Sequence, residues 1–187
     1  MILKLIVAVL LVFPQFALAV NVIDVGGQEA GTKTTGQQEI LPDVDGDLDI
    51  AAAASIYERG AFQPLQSAGS TGLKPGAFWS HFALRNVTDE AITLDLEYVD
   101  HQLIALEAYT RNLDSGDDYR NIARMSLADP FSERPVVHNR FVVRVTIPAR
   151  QVKEFLIKFS SHQAGFVFPS MRIWNPDRLR EVHTTEV

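Results

Sequence analysis

The sequence predicts an all-β fold: a β-sandwich of jelly-roll type carrying one or two short helices. Three observations support that expectation. From residue 73 onward, apolar residues recur with a period of two, the pattern of strands with one face packed inward. Turn residues interrupt these runs at intervals of about 8–12 residues. About eight short strands so spaced indicate a sandwich or jelly roll, with a closed barrel as the alternative.

The chain opens on an address. Lys4 precedes an unbroken apolar run from Leu5 to Phe13, Pro14 and Gln15 end it, and Ala17-Leu18-Ala19 supplies the small residues of a cleavage site. A membrane span needs about 18 or more apolar residues, so residues 1–19 read as a cleaved signal peptide and the mature chain begins at Val20. Residues 20–39 read as an N-terminal strand, Val22 to Val25, followed by a flexible loop from Gly26 to Gln38 rich in Gly, Thr and Gln. Residues 40–180 form the sandwich, and residues 181–187 a C-terminal tail.

Within the sandwich region, Ile40-Leu41 reads as a short strand. Asp43 to Asp47 is turn chemistry, with Asp47 placed to cap a brief helix from Ile50 to Ala54. Four strands alternate clearly, around Phe78 to Arg85, Ile92 to Val99, Phe141 to Ile147 and Phe155 to Ser160. Less regular strands are expected at 103–109, 119–127 and 166–173. Turns fall at Asn86-Val87-Thr88-Asp89, Leu113 to Asp117 and Pro148-Ala149-Arg150. Asn175 can cap, and Pro176 begin, a short helix from Arg178 to Val182.

Composition excludes several functions. The net charge is -6, and removing Lys4 with the signal makes it -7, so there is no electrostatic footprint for nucleic acid or anionic lipid. No transmembrane span follows the signal. With no cysteine and no Gly-x-Ser-x-Gly elbow, nucleophilic catalysis has no local motif. The five histidines, His81, His101, His138, His162 and His183, make no zinc spacing, so no metal or cofactor is expected. The acidic run Asp43 to Asp49 departs from a calcium loop, with Gly46 at the fourth position and Ala54 at the twelfth, and reads as an acidic turn with a helix cap. Asp95 and Glu97 share a strand face and match the carboxylate pair of a glycosidase, but are expected to sit on an exposed face meeting water. Asn86-Val87-Thr88 spells a glycosylation sequon and reads as a turn.

Arg134 and Arg140 lie in or beside a stiff connection between two prolines, Asp129 to Pro135, with His138 between them. Each has two readings: a forked donor for carboxylate, sugar or phosphate, or a tie to backbone carbonyls. Trp79 and Trp174 likewise read either as sugar-stacking platforms or as core residues.

These segments resemble the type 2 extracellular domain of 7TM-DISM receptors, bacterial proteins with seven transmembrane helices and diverse intracellular signalling modules. Phe78-Trp79-Ser80-His81-Phe82-Ala83-Leu84-Arg85-Asn86 resembles the family's W-x-x-F-x-L-x-N strand, and Leu94 to Glu97 continues the pattern. Pro130-Phe131-Ser132-Glu133-Arg134-Pro135 resembles its P-F-S-x-R-P motif, with Arg140-Phe141 following, and Arg172-Ile173-Trp174-x-Pro176 its end. Ile147-Pro148, the strand from Phe155 to Ser160 and the acidic turn at Asp43 to Ser55 extend the likeness, which runs from about Ile40 to Arg178.

The resemblance implies a jelly roll similar to carbohydrate-binding modules and a periplasmic ligand-sensing role in signal transduction. The implied ligand is a carbohydrate or related small molecule, and the candidate ligand-binding residues are Trp79, His81, Arg134, His138, Arg140 and Trp174. An enzyme is not expected, a sandwich-fold glycoside hydrolase being the weakest alternative. In the family, seven hydrophobic helices and an output module follow this domain, whereas this sequence ends at Val187. A free-standing binding domain, a module that partners a separate membrane receptor, and a split or truncated receptor are all consistent with that ending.

Overall fold

The computed structural model describes residues 21–65, 71, 76–99, 103–161 and 169–185. The expected signal peptide, His101 and His162 lie outside the described residues, as do residues 166–168 of the strand expected at 166–173. The elements are strands β1 (Val22–Val25), β2 (Ala30–Lys33) and β3 (Glu39–Asp43), helix α1 (Ile50–Glu58), and strands β4 (Gln63–Pro64), β5 (Ala77–Asn86), β6 (Ile92–Tyr98) and β7 (Leu103–Asn112). Strands β8 (Arg120–Ser126), β9 (Val142–Ile147), β10 (Val152–Ser161) and β11 (Met171–Trp174) and helix α2 (Pro176–Thr185) follow. The segment expected to be a flexible loop, Gly26 to Gln38, instead contains β2 and a single 3-10 turn, because β2 has an edge to join: it pairs antiparallel with β11. The helix expected at 178–182 runs further in both directions, so residues 181–185 are helix rather than tail.

Two sheets form a jelly roll. From β5 onward the chain crosses between them at every step except the β7–β8 hairpin, giving the order β5-β10-β7-β8 in the larger sheet and β2-β11-β6-β9 in the smaller. β3 and β4 extend the larger sheet. β3 pairs antiparallel with residues 77–81 of β5, and β1 pairs parallel with residues 83–86, so the two lie end to end along one edge of that strand. The inner faces meet in one apolar core. Phe78, Phe82, Phe155 and Phe159 from the larger sheet pack against Leu94, Leu96, Val143 and Ile173 from the smaller. Phe82 and Phe155 stack at 5.1 Å.

β5 and β10 depart from the half-buried expectation, for both of their faces are covered. The second layer is α1, capped by Asp49 rather than by Asp47: the Asp49 carboxylate accepts the Ala52 N–H at 2.8 Å. Its Ala53 and Tyr57 close over Trp79 and Leu156 on the outer face of the larger sheet, with Phe62 beside them. On the opposite side of the molecule, Leu179 of α2 packs with Trp174 and Val142 on the outer face of the smaller sheet.

Asn86, the last residue of the W-x-x-F-x-L-x-N strand, is fully buried. Its amide donates to the carbonyls of Glu90, Ile147 and Pro148, while its Oδ1 accepts from the backbone N–H and hydroxyl of Thr88. One side chain therefore fastens the β5–β6 turn to the β9–β10 turn. The sequon is a turn, as its composition suggests.

Candidate functional site

The six candidate residues fall on two opposite outer faces. Arg134, His138, Arg140 and Trp174 gather outside the smaller sheet, while Trp79 and His81 lie outside the larger one, beneath α1. The sandwich core separates the two groups.

On the smaller sheet, alternation along β6 turns Leu94 and Leu96 inward and Asp95 and Glu97 outward. These two carboxylates are not exposed, as the sequence suggested; each is only 1 % accessible. The reason is arginine pairing across the β6–β9 ladder. Arg144 forks onto Asp95 with two bonds of 2.8 Å, and Arg140 Nη1 reaches Glu97 Oε1 at 2.6 Å. Trp174 Nε1 donates to the other Glu97 oxygen at 2.8 Å. Arg134 donates to the carbonyls of His138 and Asn139, and its guanidinium lies between the rings of Phe131 and Phe141 at 4.8 and 5.0 Å. The P-F-S-x-R-P segment is thus a clasp tied to backbone carbonyls. His138 Nδ1 accepts the Arg140 N–H at 3.1 Å, and its ring touches that of His183, centroids 4.4 Å apart.

On the larger sheet, Glu154 of β10 is a 1 % accessible carboxylate facing α1. His81 Nε2 lies 3.3 Å from one of its oxygens. Arg111 Nε donates to the other at 2.6 Å, and the Tyr119 hydroxyl reaches that same oxygen at 3.4 Å. Burial pushes the Glu154 carboxyl up, but the hydrogen bonds from His81 and Arg111 outweigh it and hold the group below the usual carboxylate range. Burial, reinforced by the Glu154 charge, pushes the Tyr57 and Tyr119 phenols well up, so both stay neutral. Tyr57 stacks on His81 at 3.7 Å, tying α1 to the network. Arg111 also bonds Glu58 of α1 at 3.3 Å and lies 4.5 Å over the Tyr119 ring.

Above this network, α1 and the β7–β8 hairpin wall a cleft of about 450 Å³. Ala51, Ala54 and Ser55 line one side; Arg111, Asp118 and Tyr119 line the other. Trp79 and His81 do not line it, and His81 bears on it through Glu154 and through Tyr57 of α1. Sequence reasoning missed Glu154, Arg111 and Tyr119. The available signal was two acidic or basic residues, Glu154 and Lys158, on the same face of a strand whose other face is apolar, which suits a covered charge as well as a wet one.

The acidic turn has a further arrangement. Lys158 Nζ sits inside it, donating to the carbonyls of Gly46 and Leu48 at 2.7 and 2.8 Å and lying 3.1 Å from Asp43 Oδ2. A side chain of the protein occupies the centre of the oxygen-lined turn. Gly76, with φ of +99°, lets the turn lie close, since a Cβ there would meet the carbonyl oxygens of Asp43 and Val44.

The jelly roll, the clasp and the buried Asn86 place these sequence motifs in distinct structural roles. The family described as 7TMR-DISM extracellular 2 matches residues 35–175. The chain belongs to that family. In this 7TMR-DISM extracellular domain the match begins just after β2 and ends at the residue that caps α2. A comparison with curated proteins finds no match. Among the described residues of the domain, no helix is long and apolar enough to cross a membrane, and no group of three or more His, Asp or Glu residues is placed to hold a metal ion.

Proposed function

We propose that this chain is a periplasmic ligand-sensing domain, exported through residues 1–19, that binds carbohydrate in the cleft between α1 and the β7–β8 hairpin. The observation that carries the reading is the cleft's fixed polar wall. Arg111 and Tyr119 are held from below by the buried Glu154, so their positions are set before a ligand arrives. Glu58 and Asp118 offer acceptors for hydroxyls, Arg111 offers donors, and the Tyr119 ring and the alanines of α1 offer apolar surface. With Arg111 matched by Glu154 and Glu58, the cleft has no surplus positive charge, which favours a polyol over an organic acid. The role is binding rather than turnover: Asp95 and Glu97, the pair suited to glycoside hydrolysis, are each occupied by an arginine.

A glycan panel screened by thermal shift tests this. A ligand at a hundredfold excess over its Kd stabilises the native state by about 2.7 kcal/mol, a rise in Tm of roughly 5 °C or more at this size. Ser55→Trp, which fills the cleft from an exposed helix position, should abolish the rise while leaving the unliganded Tm near that of the wild type. A saturable rise that survives Ser55→Trp would move the site elsewhere, and silence across the panel would remove the carbohydrate reading.

One observation favours a second reading, a module that partners a separate membrane receptor. Leu127, Phe131 and Val137 expose large apolar side chains within a single stretch of the chain. Reproducible co-purification with one membrane protein, lost in Phe131→Ser, would support it.

A further inference from the structure

A second cavity lies on the opposite side of the molecule from the cleft, between α2, the segment at 136–138 and the outer face of β6 and β9. It measures about 90 Å³, the space of about three water molecules at roughly 30 Å³ each. Its walls are rich in hydrogen-bond donors and poor in free acceptors. Both oxygens of Asp95 are taken by Arg144, through Nε and Nη2, which leaves Arg144 Nη1 without a protein partner among the described residues. His138 Nδ1 is taken by the Arg140 N–H, which puts the proton of the neutral ring on Nε2. His183 Nδ1 is buried and has no partner. Arg180 closes the rim, paired with Asp177 at 3.3 Å.

We propose that this cavity binds a small oxyanion, a carboxylate or a tetrahedral anion such as sulfate or phosphate, and takes up a proton as it does so. Size and donor count select the class: a group of four or five heavy atoms bearing only acceptors fits the space and satisfies the walls. The charges facing the two imidazoles are Asp95 and Glu97 from β6, Arg144 from β9, Arg140 before it and Arg180 from α2. Both acids are already matched by arginines, so the cavity is close to neutral while the imidazoles are neutral. Burial, with His183 and Arg140 nearby, holds His138 below the ordinary imidazole value despite the opposing pull of Glu97. An anion between the rings supplies the missing countercharge for a protonated His138. Affinity therefore rises as pH falls through the imidazole range.

The occupant bridges Arg144 of β9 and His138 of the clasp to His183 of α2, so binding fixes α2 against the sheet. The test titrates the full chain with sodium sulfate and, separately, sodium acetate at constant ionic strength made up with chloride, followed by calorimetry and by histidine ring proton shifts. The expected result is saturable binding of at least one probe, tighter by tenfold or more at about pH 5.5 than at about pH 7.5. It should weaken by tenfold or more in the double variant Arg180→Gln/His183→Gln, whose changes lie on the outer helix. Ser55→Trp on the far face should leave it unchanged, which separates this site from the cleft. Binding of equal strength in the double variant, or no saturable binding at either pH, overturns the proposal.

Discussion

Arg140 shows how a guanidinium suited to a ligand can be engaged within the protein itself. Its guanidinium bonds a carboxylate, as a ligand-binding arginine would, but the carboxylate belongs to Glu97 of the same sheet. Glu97 is 1 % accessible and Arg140 22 %. Removing one partner of such a pair strands a charge, which costs about 3 kcal/mol, whereas removing both costs much less. Arg140→Met should therefore lower the urea midpoint sharply, and Glu97→Gln/Arg140→Met should recover most of the loss, as a double-mutant cycle in urea would show. The sequence exposed the choice between ligand and tie for Arg134 and Arg140 but did not decide it. For Arg140 the partner depends on which residue lies across the sheet, and a single sequence does not carry register; for Arg134 it depends on how the connection folds back on His138 and Asn139. For the turn at Asn86 the local chain was enough, because Thr88 and Glu90 close it, whereas the bonds of Asn86 to Ile147 and Pro148 were not legible.

At the scale of elements, the strands with strict alternation were legible and the covering layers were not. Phe78 to Arg85 and Phe155 to Ser160 read as half-buried because His81, Lys158 and Ser160 break the outer face. The structure instead lays α1 over that face and satisfies its polar groups with Glu154, Asp43 and backbone carbonyls. β2 was unreadable for the opposite reason. Ala-Gly-Thr-Lys has no apolar period, and it is a strand only because β11 offers it an edge. α2 was foreseen from Asn175 and Pro176, and the Asn175 side-chain oxygen Oδ1 does accept the N–H groups of Asp177 and Arg178. Its hold on the sheet is narrow, resting on Leu179 against Trp174 and Val142. Leu179→Ala should cost about 2 kcal/mol and loosen the helix. In a Trp79→Phe background, where Trp174 is the sole tryptophan, that loosening should appear as a red shift of fluorescence at denaturant concentrations that leave the far-ultraviolet β signal intact.

The whole molecule carries its buried charges on its two outer surfaces, and each gives acid sensitivity of a known sign. His138 binds a proton less readily folded than its ordinary value of 6.5. The unfolded chain therefore takes up more protons just below that value, and stability falls as pH drops beneath about 6.5. Glu154 is held below its ordinary value of 4.5, so its contribution is complete above that value and disappears as pH drops beneath it. Two successive declines should appear in a plot of urea midpoint against pH. His138→Gln should remove the first and leave the second, and a single decline in the wild type would contradict the arrangement. The all-β class, the jelly roll and the family were legible in the sequence because they rest on period and motif. The location of the cleft was not, because it depends on how α1 lies across a sheet.

Lys158 inside the acidic turn has a consequence for how that turn is made. A dissolved ion reaches its cage at whatever concentration the surroundings hold, whereas an ammonium tethered to β10 is present at an effective concentration fixed by the chain itself. The turn preceding α1 therefore gains its countercharge when β10 joins the sheet, from within the chain and not from the solution around it.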